Sequence, residues 1–361
     1  MIFSPLTVKR FRAFKRIKRA WYSLIALGAI FIFCMCADWV CKCDPRAVVD
    51  PKSLEKYREN VVEATYEIKT VRYNRLADGS IVDYEGPENI NEADYHKKEF
   101  AHPGYTRVYL EPKDPPKVTY RTLPPPEIAF PFRPCAEHPL GIDAGGRDVY
   151  ARIVHGMRIA LLFGLMLAFW AMFTGLVIGA IEGYFGGKTD ILLQRFTEIW
   201  SAIPFLYVMI FIGSTMGRSF TILLVCYAIF NWIAVSYYMR AEFLRLRSRT
   251  FVEAAKVQGF SSAKIIFGHI LPNALTPLIT LFPFLLMGAI GSLAALDFLG
   301  FGLPPMTPSC GELMQEAQQF RSAWWLIVFP ALALFIVMLL TVLVGEGLRD
   351  AFDPRQKSKL E

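Results

Sequence analysis

Two stretches of this chain carry residue types at spacings that suggest chemistry. Gly183-Tyr184-Phe185-Gly186-Gly187-Lys188-Thr189 ends like a phosphate-binding loop, whose backbone amides wrap a nucleotide while the lysine meets its phosphates. Such a loop needs a glycine five residues before Gly187, where Glu182 stands, and it follows a strand, whereas this stretch follows an apolar run. Nucleotide binding is therefore excluded. The second stretch is Glu253-Ala254-Ala255-Lys256-Val257-Gln258-Gly259-Phe260, followed by His269-Ile270-Leu271-Pro272-Asn273. Ala254, Ala255 and Gly259 are expected to keep one helical face slim, and Glu253 can accept charge-assisted hydrogen bonds. Elsewhere, His96, His102 and His138 stand among scattered carboxylates without metal-ligand spacing or a catalytic constellation. The expectation is a chain with no catalytic residue, no metal and no bound cofactor.

The elements that must position this second stretch are apolar. Of 361 residues, 54% are hydrophobic and 20% charged, which excludes an ordinary soluble architecture. Six uncharged runs, Ala20–Ala37, Ile159–Ile181, Ile199–Gly217, Ser219–Met239, Ile270–Leu296 and Ser322–Gly345, are each long enough to cross a bilayer as a helix. They are too long for the alternating strands of a β-barrel. The expected fold class is all-α and polytopic, with six transmembrane helices and a small irregular, β-containing insert. Gly175, Gly179 and Gly183 recur every four residues, where absent side chains let another helix approach. Pro204, Pro272, Pro277, Pro283 and Pro330 are expected to kink later spans.

The net charge of +7 resolves by location. Residues 44–137 hold 14 Lys and Arg against 17 Asp and Glu, so the positive surplus flanks the apolar runs. Lys9 to Arg19, the loop Arg240–His269, and the tail (Arg349, Arg355, Lys357, Lys359) all fall on one side of a six-span chain, which the positive-inside rule makes the cytoplasm. Orientation, not nucleic-acid binding, accounts for them. Cys34 to Trp39 offers no small-x-small cleavage site, so the first run is expected to stay as an anchor bracketed by Trp21 and Trp39. The expected divisions are a basic N-terminus (1–19), a first span (20–40), an extracytoplasmic insert (41–150), a five-helix membrane domain (151–348) with its loop at 240–269, and a tail (349–361). In the insert, alternation at Tyr66–Tyr73, the turn signal Asp78-Gly79-Ser80, and the patches Tyr105–Leu110 and Lys117–Leu123 predict short strands, and Leu123-Pro124-Pro125-Pro126 an extended approach to the membrane. Cys41, Cys43 and Cys135 flank it, and a loop-closing disulfide and free thiols both fit.

The spacing of Glu253-Ala254-Ala255 to Gly259 and to Leu271-Pro272 resembles the cytoplasmic EAA loop of binding-protein-dependent ABC importer permeases. His138-Pro139-Leu140-Gly141-Ile142-Asp143-Ala144-Gly145-Gly146-Arg147-Asp148 is similar to the signature that precedes the second helix of dipeptide and oligopeptide permease C subunits, with Ile142 in place of Thr. Gly183–Asp190, Phe298–Pro305 and Gly347–Arg355 look like further blocks of that family, and Asp297 stands where it carries Ser. A long loop after the first span is similar to the Yej-type branch, which imports peptides and microcin C. The resemblance implies a non-enzymatic inner-membrane subunit with both termini cytoplasmic, importing peptides or peptide-like antibiotics. It implies as partners a second homologous permease subunit, two ATPase subunits or one fused ATPase that use ATP and Mg, a periplasmic peptide-binding protein, and membrane lipid. A short helix at 253–263 would then dock on the ATPase. A self-contained secondary transporter or channel would need charges inside the spans, and the six runs hold none. A membrane-anchored periplasmic enzyme would need the missing constellation in 44–137.

Overall fold

The computed structural model describes residues 5–41, 43–60, 68–72, 74–75, 81–82, 99–102, 105–111, 117–122 and 130–352. The Asp78–Ser80 turn, the Leu123–Pro126 run and the basic residues Arg355, Lys357 and Lys359 lie outside the described residues. Two compact units make up the chain: Met1–Lys42 with Ala151–Gln315 and Phe329–Glu361, and Cys43–Tyr150 with Glu316–Val328.

In the first unit α1 (Pro5–Arg16) leads into α2 (Lys18–Met35) and a single turn, α3 (Ala37–Val40). There follow α4 (Val149–Phe185), α5 (Gly187–Ser201), α6 (Phe205–Met216), α7 (Phe220–Asn231) and α8 (Ile233–Arg247). After these come α9 (Thr250–Val257), α10 (Ser262–Ile265), a π-helical turn at Ile266–Ile270, α11 (Leu271–Phe298), α12 (Cys310–Glu316) and α13 (Trp325–Phe352). Among the described residues, five helical stretches are long and apolar enough to cross a membrane: Lys18–Met35, Val149–Phe185, Phe220–Arg247, Ser262–Phe298 and Trp325–Phe352. The run Ile199–Gly217 breaks at Pro204, the proline expected to kink it. It is shared between α5 and α6, which bend by 64° and make a sixth span if counted together. Pro204 is the cause: it sits extended at the N-cap of α6, has no N–H to donate, and disfavours helical geometry at the residue before it.

Other boundaries move as well. The expected first span at 20–40 is α2 plus a separate turn, because Cys36 leaves helical geometry at ψ 17°. The basic N-terminus is helical, and its Phe14 is buried with Ala20, Val344 and Ala351. Trp21 meets the rings of Phe11 and Phe14 edge-on at 6.0 and 6.5 Å. The last helix runs on to Phe352, past the expected boundary at 348.

Small residues set the packing, as lipid offers helices no hydrophobic drive toward one another. A side chain at Gly179 would place its Cβ 2.5 Å from the Ser236 carbonyl oxygen, and one at Gly183 would lie 2.6 Å from that of Arg240. The glycine stripe of α4 is thus the face on which α8 lies backbone to backbone. Gly164 likewise receives Leu286 and Ile290 of α11, and Gly345 of α13 receives Phe284. Phe169, Phe173, Phe211 and Phe335 point outward, as side chains facing lipid do.

In the second unit a 3-10 helix (Pro51–Asn60) precedes six strands: β1 (Ile68–Arg72), β2 (Asn74–Arg75), β3 (Ile81–Val82), β4 (Glu99–His102), β5 (Tyr105–Glu111) and β6 (Lys117–Thr122). The three segments with strand patterning form β1, β5 and β6. β1, β6, β5 and β4 make an antiparallel sheet in that order, with Ile68 opposite Arg121 and Arg72 opposite Lys117, while β2 and β3 pair separately. Leu54, Phe132 and Ile142 are fully buried together, and the Trp325 indole N–H donates to the Ile142 carbonyl at 3.3 Å. That contact brings Glu316–Val328 into this unit, although part of the segment reads as the start of the last span.

Candidate functional site

The Glu253 to Pro272 stretch folds as two short helices around a glycine, not as one helix at 253–263. Residues 240–247, expected in the loop, still belong to α8. Arg249, extended, caps α9. Gly259 then ends it at φ +77°, with its N–H on the Lys256 carbonyl at 2.9 Å and the Phe260 N–H on the Ala255 carbonyl at 3.2 Å. These two bonds are those of a Schellman cap, in which the left-handed residue is usually glycine and an apolar contact joins the residues on either side. Phe260 and Ala255 supply that contact. The spacing from Ala255 to Gly259 is therefore the spacing of a helix stop. The Ser261 hydroxyl accepts from the Lys264 N–H at 3.4 Å and starts α10.

Ala254, Ala255 and Gly259 do not share one face: neighbouring residues on a helix diverge by about 100°, and Gly259 lies beyond the end of α9. Ala255 is buried with Val252, Ile265 and Ile270 against Met239, Phe243 and Leu246 of α8 and Ala274 and Leu278 of α11. Glu253, Ala254 and Lys256 face solvent, and beside them Val257 is 89% exposed. Val257 is the residue that sequence reasoning missed, and an apolar side chain so exposed among charges is its only signal. Phe260 packs inward: its ring stacks on His269 at 5.8 Å, with the Lys264 ammonium 3.9 Å from its centre. Leu271 is half-buried, and Pro272 stands in the first turn of α11, where a missing N–H costs nothing. Asn273 donates to the His269 carbonyl at 2.8 Å.

The His138 to Asp148 turn, in the second unit, buries its charged side chains. Asp143 is fully buried and accepts from the Arg147 backbone N–H at 2.7 Å and from its Nε at 2.8 Å. Arg147 also reaches Glu316 at 2.9 Å. His138 Nδ1 and Asp148 Oδ2 lie 2.6 Å apart, both residues buried. Gly141 (φ +83°) lies under Trp325, and Gly146 (φ +78°) under Phe130 and Val48, with room for a Cβ at neither. Next to the turn, Glu137 holds the Lys56 ammonium, whose pKa it raises above the ordinary lysine value by accepting a hydrogen bond.

The family model of binding-protein-dependent transport system inner membrane components matches residues 175–358. An Escherichia coli K12 protein described as the inner membrane ABC transporter permease protein YejE is 34% identical over 362 residues, covering 98% of each chain. The chain belongs to this family. The peptidoglycan transport system permease protein YejE of Agrobacterium fabrum is 45% identical over 217 residues, 60% of this permease and 57% of that relative's length. The dipeptide transport system permease protein DppC of Alkalihalophilus pseudofirmus is 38% identical over 226 residues, 62% of this chain and 74% of its own.

Two other sequence features of the permease find structural explanations. The glycine-rich stretch at 183–189 turns the chain from α4 into α5, and Arg247 donates to the Tyr184 carbonyl there at 3.3 Å. Asp190 is held by both Arg240 nitrogens, Nε at 2.5 Å and Nη2 at 2.7 Å, so the turn is braced against α8. Asp297 is buried at the end of α11, where it accepts from the Leu303 N–H at 2.6 Å and from the Ser309 hydroxyl. It fastens the 299–309 loop, which Ser in its place would reach with one oxygen instead of two.

Proposed function

We propose that this permease takes up peptides or peptide-like antibiotics across the bacterial inner membrane, with both termini in the cytoplasm. It works beside a second homologous permease subunit. A periplasmic peptide-binding protein delivers cargo, and two ATPase subunits or one fused ATPase hydrolyse ATP with Mg. No catalytic step falls on this chain. The printed name of the partly matching DppC relative, a dipeptide permease, supports the substrate class, and the geometry of α9 supports the coupling.

The observation that carries the reading is the two-faced build of α9. Its inner residues Val252 and Ala255 share one buried cluster with residues of α8, the π-helical turn and α11, while Glu253, Ala254, Lys256 and Val257 are exposed to meet another surface. A force applied to that outer face moves the ends of two long helices as one body, because a packed core shifts between discrete arrangements instead of deforming. ATPase closure would bias that shift only by binding one arrangement better than the other.

The test is a charge placed on the outer face. Val257→Asp alters a side chain that is 89% exposed, so the variant is expected to insert and fold. Peptide uptake and co-purification of the ATPase should both fall at least tenfold, as a desolvated carboxylate in an apolar contact costs more than about 1.4 kcal/mol. Unchanged uptake at normal expression would contradict the assignment.

A further inference from the structure

We propose that Cys43, His138 and Asp148 form a binding site for a transition-metal cation, zinc being the best match, which ties the first residue of the insert to the turn at its end. One donor atom from each residue lies within 4.8 Å of the others. His138 and Asp148 are 6% and 4% exposed, and Cys43 is half-buried, so the cluster is shielded but reachable.

The donor set is chemically specific. Thiolate, imidazole and carboxylate are the three ligand types that zinc takes together, at about 2.3, 2.0 and 2.1 Å. In tetrahedral geometry those lengths put the donors roughly 3.4 to 3.6 Å apart, inside the observed limit. The hydrogen bond of 2.6 Å between His138 and Asp148 has to open by less than about 1 Å. Binding releases the thiol proton of Cys43 and moves the ring proton shared with Asp148 to Nε2. Thiolate and carboxylate then neutralise the dication, and water takes the fourth position.

The surroundings hold the donors in place. The His138 carbonyl accepts from the N–H groups of Cys135 at 3.0 Å and Gly141 at 2.9 Å, and the Asp143–Arg147 pair closes the rest of the turn. A hydrogen-bonded His–Asp pair would suffice to brace the turn; the thiol beside it completes a three-donor set that zinc takes. Residues 43 and 138 bracket the whole insert, and a cross-link between them removes closure entropy from a loop of that length, as a disulfide would. Cys135, which flanks the insert too, is a free thiol.

The full chain, purified in detergent without a polyhistidine tag, reduced and stripped of metal, is titrated with Co2+ and then Zn2+. A thiolate-to-cobalt charge-transfer band should appear with one equivalent and be displaced by zinc, and zinc should raise the thermal midpoint. Cys43→Ser, at a half-exposed position that tolerates the change, should lose both the band and the zinc-dependent shift while keeping the apo midpoint. Asp148→Asn should weaken cobalt binding by about 10-fold or more. A wild-type protein without the band, a band that survives in Cys43→Ser, or a Cys43 disulfide in freshly extracted protein would each overturn the site.

Discussion

In the 138–148 turn Asp143, Arg147, His138 and Asp148 all point inward and are satisfied there, whereas α9 buries only Val252 and Ala255 and leaves Glu253, Ala254, Lys256 and Val257 in solvent. Both segments stand out as motifs in the sequence, and a motif alone does not say why its residues are there. Enclosure does. A motif whose polar groups are matched within its own turn specifies a fold, while a motif with one locked face and one open face specifies a contact.

The comparison makes opposite predictions for damage. Arg147→Leu removes the buried guanidinium that pairs with the Asp143 and Glu316 carboxylates, which costs about 3–5 kcal/mol. The amount of folded protein, followed by thermal unfolding in detergent, should drop sharply. The fraction that does fold should still bind the ATPase as wild type does, and a coupling defect in that fraction would break the distinction. Gly259→Ala is the milder counterpart in the loop. No neighbour lies within 4 Å of the added methyl, so only the φ of +77° penalises it, by about 1 kcal/mol. The thermal midpoint should fall slightly and ATPase binding more, because α9 then ends with a different exit angle.

Much of the membrane architecture was legible in the residues, for reasons specific to each. Uncharged runs announce spans because charges are costly in lipid, and the four-residue glycine stripe marks the α8 contact because nothing else permits backbone approach. The faces of α9 were misjudged because Ala254 and Ala255 are chemically alike, and only the positions of α8 and α11 decide which is covered. Gly259 is conspicuous in sequence, but its work as a cap shows in two hydrogen bonds. Pro204 was visible as a kink, yet the 64° bend depends on the extended geometry it adopts. The cluster of Cys43 with His138 and Asp148 was invisible, since no local spacing reports on donors so distant along the chain, and Trp325 was hidden for the same reason inside an apolar run.

The central claim is that the open face of α9 meets the ATPase. It is tested most directly by placing a photo-activated cross-linking side chain at Val257 in living cells that express the whole importer. The account predicts a covalent adduct between this permease and an ATPase subunit, absent when the same side chain replaces Trp39, which is 92% exposed beyond the far end of α2. An adduct from Val257 to the periplasmic binding protein, or none to the ATPase while uptake continues, would contradict it.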